Sequence, residues 1–180
     1  MKNQNTKKLA YAALFLALCL VLPMLTGQIP QIGSMLLPMH IPVLLCGLVC
    51  GWQYGAAVGF VAPLLRSALF GMPPVYPVAI AMAFELLTYG LVIGLVYRRM
   101  AQKGAAGVYA ALLTAMVAGR LVWGVAEVVL LGLGGKAFTA QAFLAGALLN
   151  AVPGIIVQLV LIPAVMAALQ KAGAVKEYAE

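Results

Sequence analysis

The stretch Ala105–Leu131 reads AAGVYAALLTAMVAGRLVWGVAEVVLL, an apolar run that nevertheless carries Arg120 and Glu127. It exceeds the roughly 20 residues that a helix needs to cross bilayer hydrocarbon. A charge at mid-bilayer costs about 2.5–3.5 kcal/mol on insertion scales, so these side chains face a partner or a cavity rather than lipid. Four comparable runs precede this one, Leu9–Leu25, Met35–Cys50, Tyr54–Phe70 and Pro77–Tyr97, and Ala140–Leu169 follows it. The reading is an all-α integral membrane protein, one domain over residues 1–180 built as a bundle of six transmembrane helices.

Composition agrees. The chain is 65% apolar and 8% charged, with a mean hydropathy of +1.08, which leaves no room for a soluble domain. No G-x-x-x-x-G-K-[ST] phosphate loop occurs, so energy for uphill transport must come from another subunit or a coupled ion. The net charge of +7 is not a nucleic-acid signal, because the basic residues flank the apolar runs. Cys19, Cys46 and Cys50 lie inside apolar stretches and read as small buried hydrophobes, with no disulfide framework and no metal site. The N-terminal lysines before an apolar run resemble a signal peptide, but the run continues to Leu25 without an A-x-A site and reads as a retained helix.

Orientation follows from lysine and arginine. With six spans and both termini cytoplasmic, the inner segments hold Lys2, Lys7, Lys8, Arg98, Arg99, Lys103, Lys171 and Lys176, and the outer loops hold only Lys136. The outer loops Thr26–Ser34 and Gly71–Tyr76 are rich in Gly, Pro and Gln and suit a lid over an outward-facing cavity. The second and third runs are short, contain Pro38, Pro42 and Pro63, and are parted only by Gly51-Trp52-Gln53, which predicts a tight hairpin. Pro153 and Pro163 predict kinks or tilt in the sixth.

Four ionisable residues remain inside the runs: Arg66, Glu85, Arg120 and Glu127. Arg120 and Glu127 are two helical turns apart and share a face, with Trp123 between them. At 1.5 Å per residue, Glu127 falls in the outer third and Arg120 near the middle. Glu85 then lies about 12 Å below the outer end of its helix, and Arg66 about one turn from the outer end of its own. Asn150 joins them near mid-depth, which predicts a cluster of all five in the outer half. The cluster is either a brace of buried ion pairs or the lining of a polar pocket. In the second case Arg120 leads, because its fork of donors grips a carboxylate, phosphate or carbonyl. In Pro38-Met39-His40-Ile41-Pro42 the second proline cannot donate to the carbonyl of the first, so the helix loosens around His40. Loosened backbone at membrane depth lines a cavity or is buried in protein, and His40 is either a ligand group or a structural residue. Met35, Met39, Met72, Met82, Tyr76, Tyr89, Phe84 and Trp123 are available as apolar walls.

On the first helix Ala10, Ala13 and Ala17 form one smooth stripe that includes an A-x-x-x-A step, a surface that lets another helix approach closely. The stripe, the basic N-terminus, the six runs, the segment Pro38-Met39-His40-Ile41-Pro42-Val43-Leu44-Leu45-Cys46-Gly47 and the following Gly51-Trp52-Gln53-Tyr54-Gly55-Ala56 together resemble the substrate-binding S components of energy-coupling factor (ECF) vitamin transporters. Met39-His40-Ile41-Pro42-Val43 looks most like the pantothenate-type and related uncharacterised members. The resemblance implies a multi-pass protein of a prokaryotic cell membrane that captures a vitamin or related micronutrient from outside. It also implies docking, through Ala13, Ala17 and their stripe, onto a membrane coupling subunit carrying two cytoplasmic ATPases. ATP is then used by those partners, and this chain needs no cofactor of its own.

Two other classes stand beside this one. An intramembrane enzyme lacks parts: there is no G-x-S-x-G, no H-E-x-x-H and no Asp anywhere. A self-sufficient proton-coupled transporter or channel could use Glu85 and Glu127 as relays. For the ligand, the arginines admit a carboxylate such as pantothenate, and the glutamates equally admit a donor-rich base of the folate or purine kind.

Overall fold

The computed structural model describes residues 2–25, 35–135, 139–146 and 151–173, and among these it is all-helical. Among the described residues seven α-helices follow one another: α1 (Lys2–Leu25), α2 (His40–Cys50), α3 (Trp52–Phe70), α4 (Ile80–Met100), α5 (Ala105–Leu133), α6 (Ala140–Leu144) and α7 (Val152–Lys171). A π-helical turn, Val75–Ala79, leads into α4, and a 3-10 turn, Ala101–Lys103, links α4 to α5.

Four segments are long and apolar enough to cross a membrane: Gln4–Leu25, Val75–Met100, Ala105–Leu133 and Val152–Lys171. The α3 helix has 19 residues but opens on Trp52-Gln53-Tyr54 and contains Arg66, which lowers its hydropathy. The α2 helix has only 11 residues, because the chain before it is turned rather than helical. The sixth apolar run, expected as one span over 140–169, holds two helices among the described residues. Ala151 is a turn, and α7 restarts with Pro153 in its first turn, where a missing N–H leaves no bond unmade. Asn150, Lys136, Lys176 and the expected lid segment Thr26–Ser34 lie outside the described residues.

The core forms around α2, which is buried along almost its whole length and packs against α1, α3, α4 and α7. Gly51, at φ +95°, turns the chain directly from α2 into α3, a conformation that favours glycine. The expected hairpin is therefore present with a single-residue link.

Backbones within the hairpin and α4 touch through glycines. Gly55 on α3 faces Gly90 on α4, with Gly47 of α2 beside it, while Gly59 meets the Leu86 backbone and Gly94 meets Trp52. A Cβ at Gly90 would sit 2.2 Å from the backbone C and O of Gly55, and one at Gly59 would sit 2.2 Å from the Leu86 carbonyl oxygen. Such contacts give van der Waals packing and leave no gap for lipid, which is what joins helices where burial from water supplies no drive. The outward faces are apolar. Leu113, Val117, Leu121, Val125 and Val128 on α5, with Ile156 and Val160 on α7, are all at least half exposed, as a bilayer-facing surface requires.

The α1 helix turns Ala12, Phe15, Cys19 and Pro23 inward and leaves Ala10, Ala13 and Ala17 exposed. Two contacts fasten its far end. The Cys19 thiol donates to the Met39 carbonyl at 3.6 Å, and Arg66 Nη1 on α3 donates to the Leu20 carbonyl at 2.6 Å.

Candidate functional site

The centre of the site begins where the chain enters α2. Leu37 adopts φ +50°, a left-handed conformation that a branched residue rarely takes, and Pro38 and Met39 form a turn closed by the His40 N–H donating to the Leu37 carbonyl at 3.0 Å. The helix starts only at His40, so Pro42 falls in its first turn, where its missing N–H is not needed. The loosening expected between Pro38 and Pro42 is thus a full helix boundary, and it buries His40 to 2% exposure at the head of α2.

Glu85 reaches the same point from α4 and Arg120 from α5. Arg120 Nη1 lies 2.9 Å from Glu85 Oε1, and His40 Nε2 lies 3.4 Å from the same oxygen. Neither approach has the alignment of a hydrogen bond, so both are ionic or dipolar contacts. The Tyr89 ring, one turn along α4 from Glu85, meets the His40 imidazole edge-on at 5.2 Å. Gly119 lets α5 come this close: a Cβ there would lie 2.8 Å from the Tyr89 ring. Three helices therefore place an imidazole, a carboxylate and a guanidinium in contact.

Several buried polar atoms have no hydrogen-bond partner among the described residues: both imidazole nitrogens of His40, Oε1 of Glu85, Nε and Nη2 of Arg120, and, on α7, Nε2 of Gln158. Gln158 is 1% exposed on α7. It lies one turn beyond Gly154, which packs on the backbone of Met35 and Leu36 just ahead of His40.

Trp123 adjoins Arg120, with its ring 6.0 Å from the guanidinium carbon, and stacks on Phe143 of α6 at 6.1 Å. Gly124 and Gly146 make room for these rings, since a Cβ on either would collide with Phe143 or Trp123. The short α6 is thus seated on α5 by aromatic contact. Glu127 is buried two turns from Arg120, and among the described residues no cation lies within ion-pair distance of it. The segment 71–79 is tied at both ends, by Ser67 Oγ donating to the Pro73 carbonyl at 2.6 Å and by the Tyr76 hydroxyl donating to the Leu130 carbonyl.

Arg66 does not join the cluster. Its guanidinium serves the Leu20 carbonyl and lies 5.5 Å from the Phe70 ring, fastening α1 to α3. Of the expected five, Glu85 and Arg120 are in contact and are joined by His40, Glu127 lies two turns further along α5, Arg66 stands apart, and Asn150 lies outside the described residues. Arg66→Ala should lower stability by about 1.5–3 kcal/mol through the lost charge-assisted bond, and speed hydrogen exchange in the last turns of α1. Ligand affinity should stay unchanged, and a parallel loss of affinity would return Arg66 to the site.

Sequence reading passed over Gln158, although a lone amide in the run VPGIIVQLVLIP was visible, and gave Tyr89 only a wall's role. Gly119 carried no sequence signal of its own.

A family described as the substrate-specific component of ECF transporters matches residues 7–167, which spans α1 to α7 and every contact just described. The chain belongs to this family. No curated protein and no solved structure matches it. As an ECF substrate-specific component it is a membrane subunit of an importer, in a family that binds solute rather than transforming it. The six-run pattern and the exposed alanine stripe are thereby placed in a transport protein.

Proposed function

We propose that this chain captures a vitamin-like micronutrient at the His40–Glu85–Arg120 centre and delivers it through an ECF importer. The observation that carries the reading is the convergence of three buried polar side chains from α2, α4 and α5 with hydrogen-bonding atoms left unused. A brace built only for packing would satisfy those atoms, since each buried unpaired group costs about 1–3 kcal/mol. Trp123, Glu127 and Phe143 form the adjoining wall, and Asn150 is assigned to the same pocket by its place in the sequence. The strap 71–79 acts as a lid, with both termini cytoplasmic.

Transport in this reading needs partners. The exposed face of Ala10, Ala13 and Ala17 docks on a membrane coupling subunit that carries two cytoplasmic ATPases, and ATP is consumed there. Ala13→Trp should abolish cellular uptake while leaving solute binding by the purified protein within about twofold of the parent, because the residue faces away from the core. Normal uptake by this variant would remove the docking face. Uptake that persists without the ATPase subunits would favour self-sufficient, proton-coupled transport.

A further inference from the structure

The unused atoms at the centre are not a random set, and their chemistry names a ligand class. Glu85 Oε1 lies within ion-pair distance of both Arg120 Nη1 and His40 Nε2, so a ligand donor aimed at it would compete with two neighbours, although the oxygen accepts no hydrogen bond. It is the one carboxylate acceptor among the unpartnered atoms, and the Arg120 nitrogens beside it are donors. Arg120 Nε and Nη2 are unpartnered, and these two nitrogens form one edge of the guanidinium, with two N–H bonds parallel and spaced for the two oxygens of a carboxylate. Gln158 Nε2 adds a further unpartnered donor.

The geometry points to a monocarboxylate ligand, gripped by the free Nε/Nη2 edge of Arg120 while the opposite side of the guanidinium stays on Glu85. This rests on the substrate-capture reading above and narrows it. A dianion such as a phosphate monoester fits worse. The centre holds one permanent positive charge and one carboxylate in contact, and the second buried carboxylate, Glu127, stands on the same helix. One added negative charge can be met by the Arg120 guanidinium, and a second would stand uncompensated beside Glu85. The uncharged alternative, a base, would meet the Arg120 edge through single carbonyl or ring-nitrogen acceptors rather than a matched pair of carboxylate oxygens.

The test uses the full chain purified in mild detergent from cells grown in rich medium, with bound small molecules released and identified by mass spectrometry. The parent protein should carry a molecule with a free carboxylate. Arg120→Lys keeps the charge beside Glu85 but lacks the fork, and it should bind that molecule roughly 10- to 150-fold more weakly while its thermal midpoint stays near the parent's. A ligand without a carboxylate, or equal binding by Arg120→Lys, overturns the assignment. If the parent is empty, it is titrated with pantothenate against panthenol and nicotinate against nicotinamide. Preference for an acid over its uncharged partner, lost in Arg120→Lys, supports the proposal, and no preference in either pair overturns it. Co-purification with the coupling subunit and ATPases is read in parallel. A protein that assembles with them yet carries an uncharged solute loses the carboxylate and keeps the function, whereas one that never assembles loses the function itself.

Discussion

Gly90→Leu is expected to yield no monodisperse protein after detergent extraction. Even a single Cβ at Gly90 lies 2.2 Å from the Gly55 backbone, and the neighbouring Gly47 and Gly55 already rest on the Gly90 carbonyl oxygen at 2.8 Å from their own would-be Cβ atoms. Overpacking a core commonly costs about 1–3 kcal/mol when side chains can give way. Here the obstacle is the α3 backbone at Gly55 and Ala56, so α3 and α4 would have to separate. Whole domains are stable by only roughly 5–15 kcal/mol, so losing that contact removes a large share of it. Gly132→Leu is the control, because nothing lies within 4 Å of its would-be Cβ. Size-exclusion profiles and thermal midpoints of the two variants make the comparison. A well-behaved Gly90→Leu protein would mean that the glycine contacts do not hold the bundle.

The second large effect is expected at Glu85. Glu85→Leu strands the Arg120 guanidinium beside His40 without its carboxylate, and removing one partner of a buried pair costs about 3–5 kcal/mol. The double variant Glu85→Leu/Arg120→Met removes both charges together and should recover most of that stability, since apolar replacements of buried pairs are often neutral. Solute binding should remain absent in both. Unfolding midpoints separate the outcomes: a stable single variant would show that the contact carries no structural weight. A double variant that still binds solute would move the site elsewhere.

Much of this architecture could be read from the chain alone. Apolar run length marked the helical, membrane-spanning character, but of the six expected spans four segments among the described residues are long and apolar enough to cross. Pro38 and Pro42 marked the break at His40, Gly51 marked the hairpin, and the spacing of Ala10, Ala13 and Ala17 marked a face that α1 indeed leaves exposed. Other features depend on which helices become neighbours, and hydropathy is silent about that. Gly55-x-x-x-Gly59 and Gly90-x-x-x-Gly94 are visible as spacings, but only the fold sets Gly55 against Gly90. Arg66 was grouped with the carboxylates because its depth agreed with theirs. Its helix presents it to α1 instead, where a carbonyl takes the place of an acid. Gln158 and Asn150 looked alike as single amides in one apolar run, and only Gln158 lies among the described residues, buried and with a free donor. The sixth run was read as one helix because apolar composition cannot tell a long span from a short helix, a turn and a second helix.

The brevity of α2 has an electrical consequence. Eleven residues rise about 16 Å, roughly half of a hydrocarbon layer about 30 Å thick. With Gly51 placed at the inner boundary, as the lysine and arginine pattern of the sequence suggests, His40 and the groups touching it would stand about midway through the membrane's insulating layer. An anion seated there has crossed about half of the transmembrane voltage. A full crossing is worth about 2.3 kcal/mol per charge at 100 mV, so about 1 kcal/mol of its binding free energy is set by the potential. If the centre captures a carboxylate from outside, as proposed above, energising the membrane with its interior negative should weaken that capture several-fold, and depolarising it should tighten the hold.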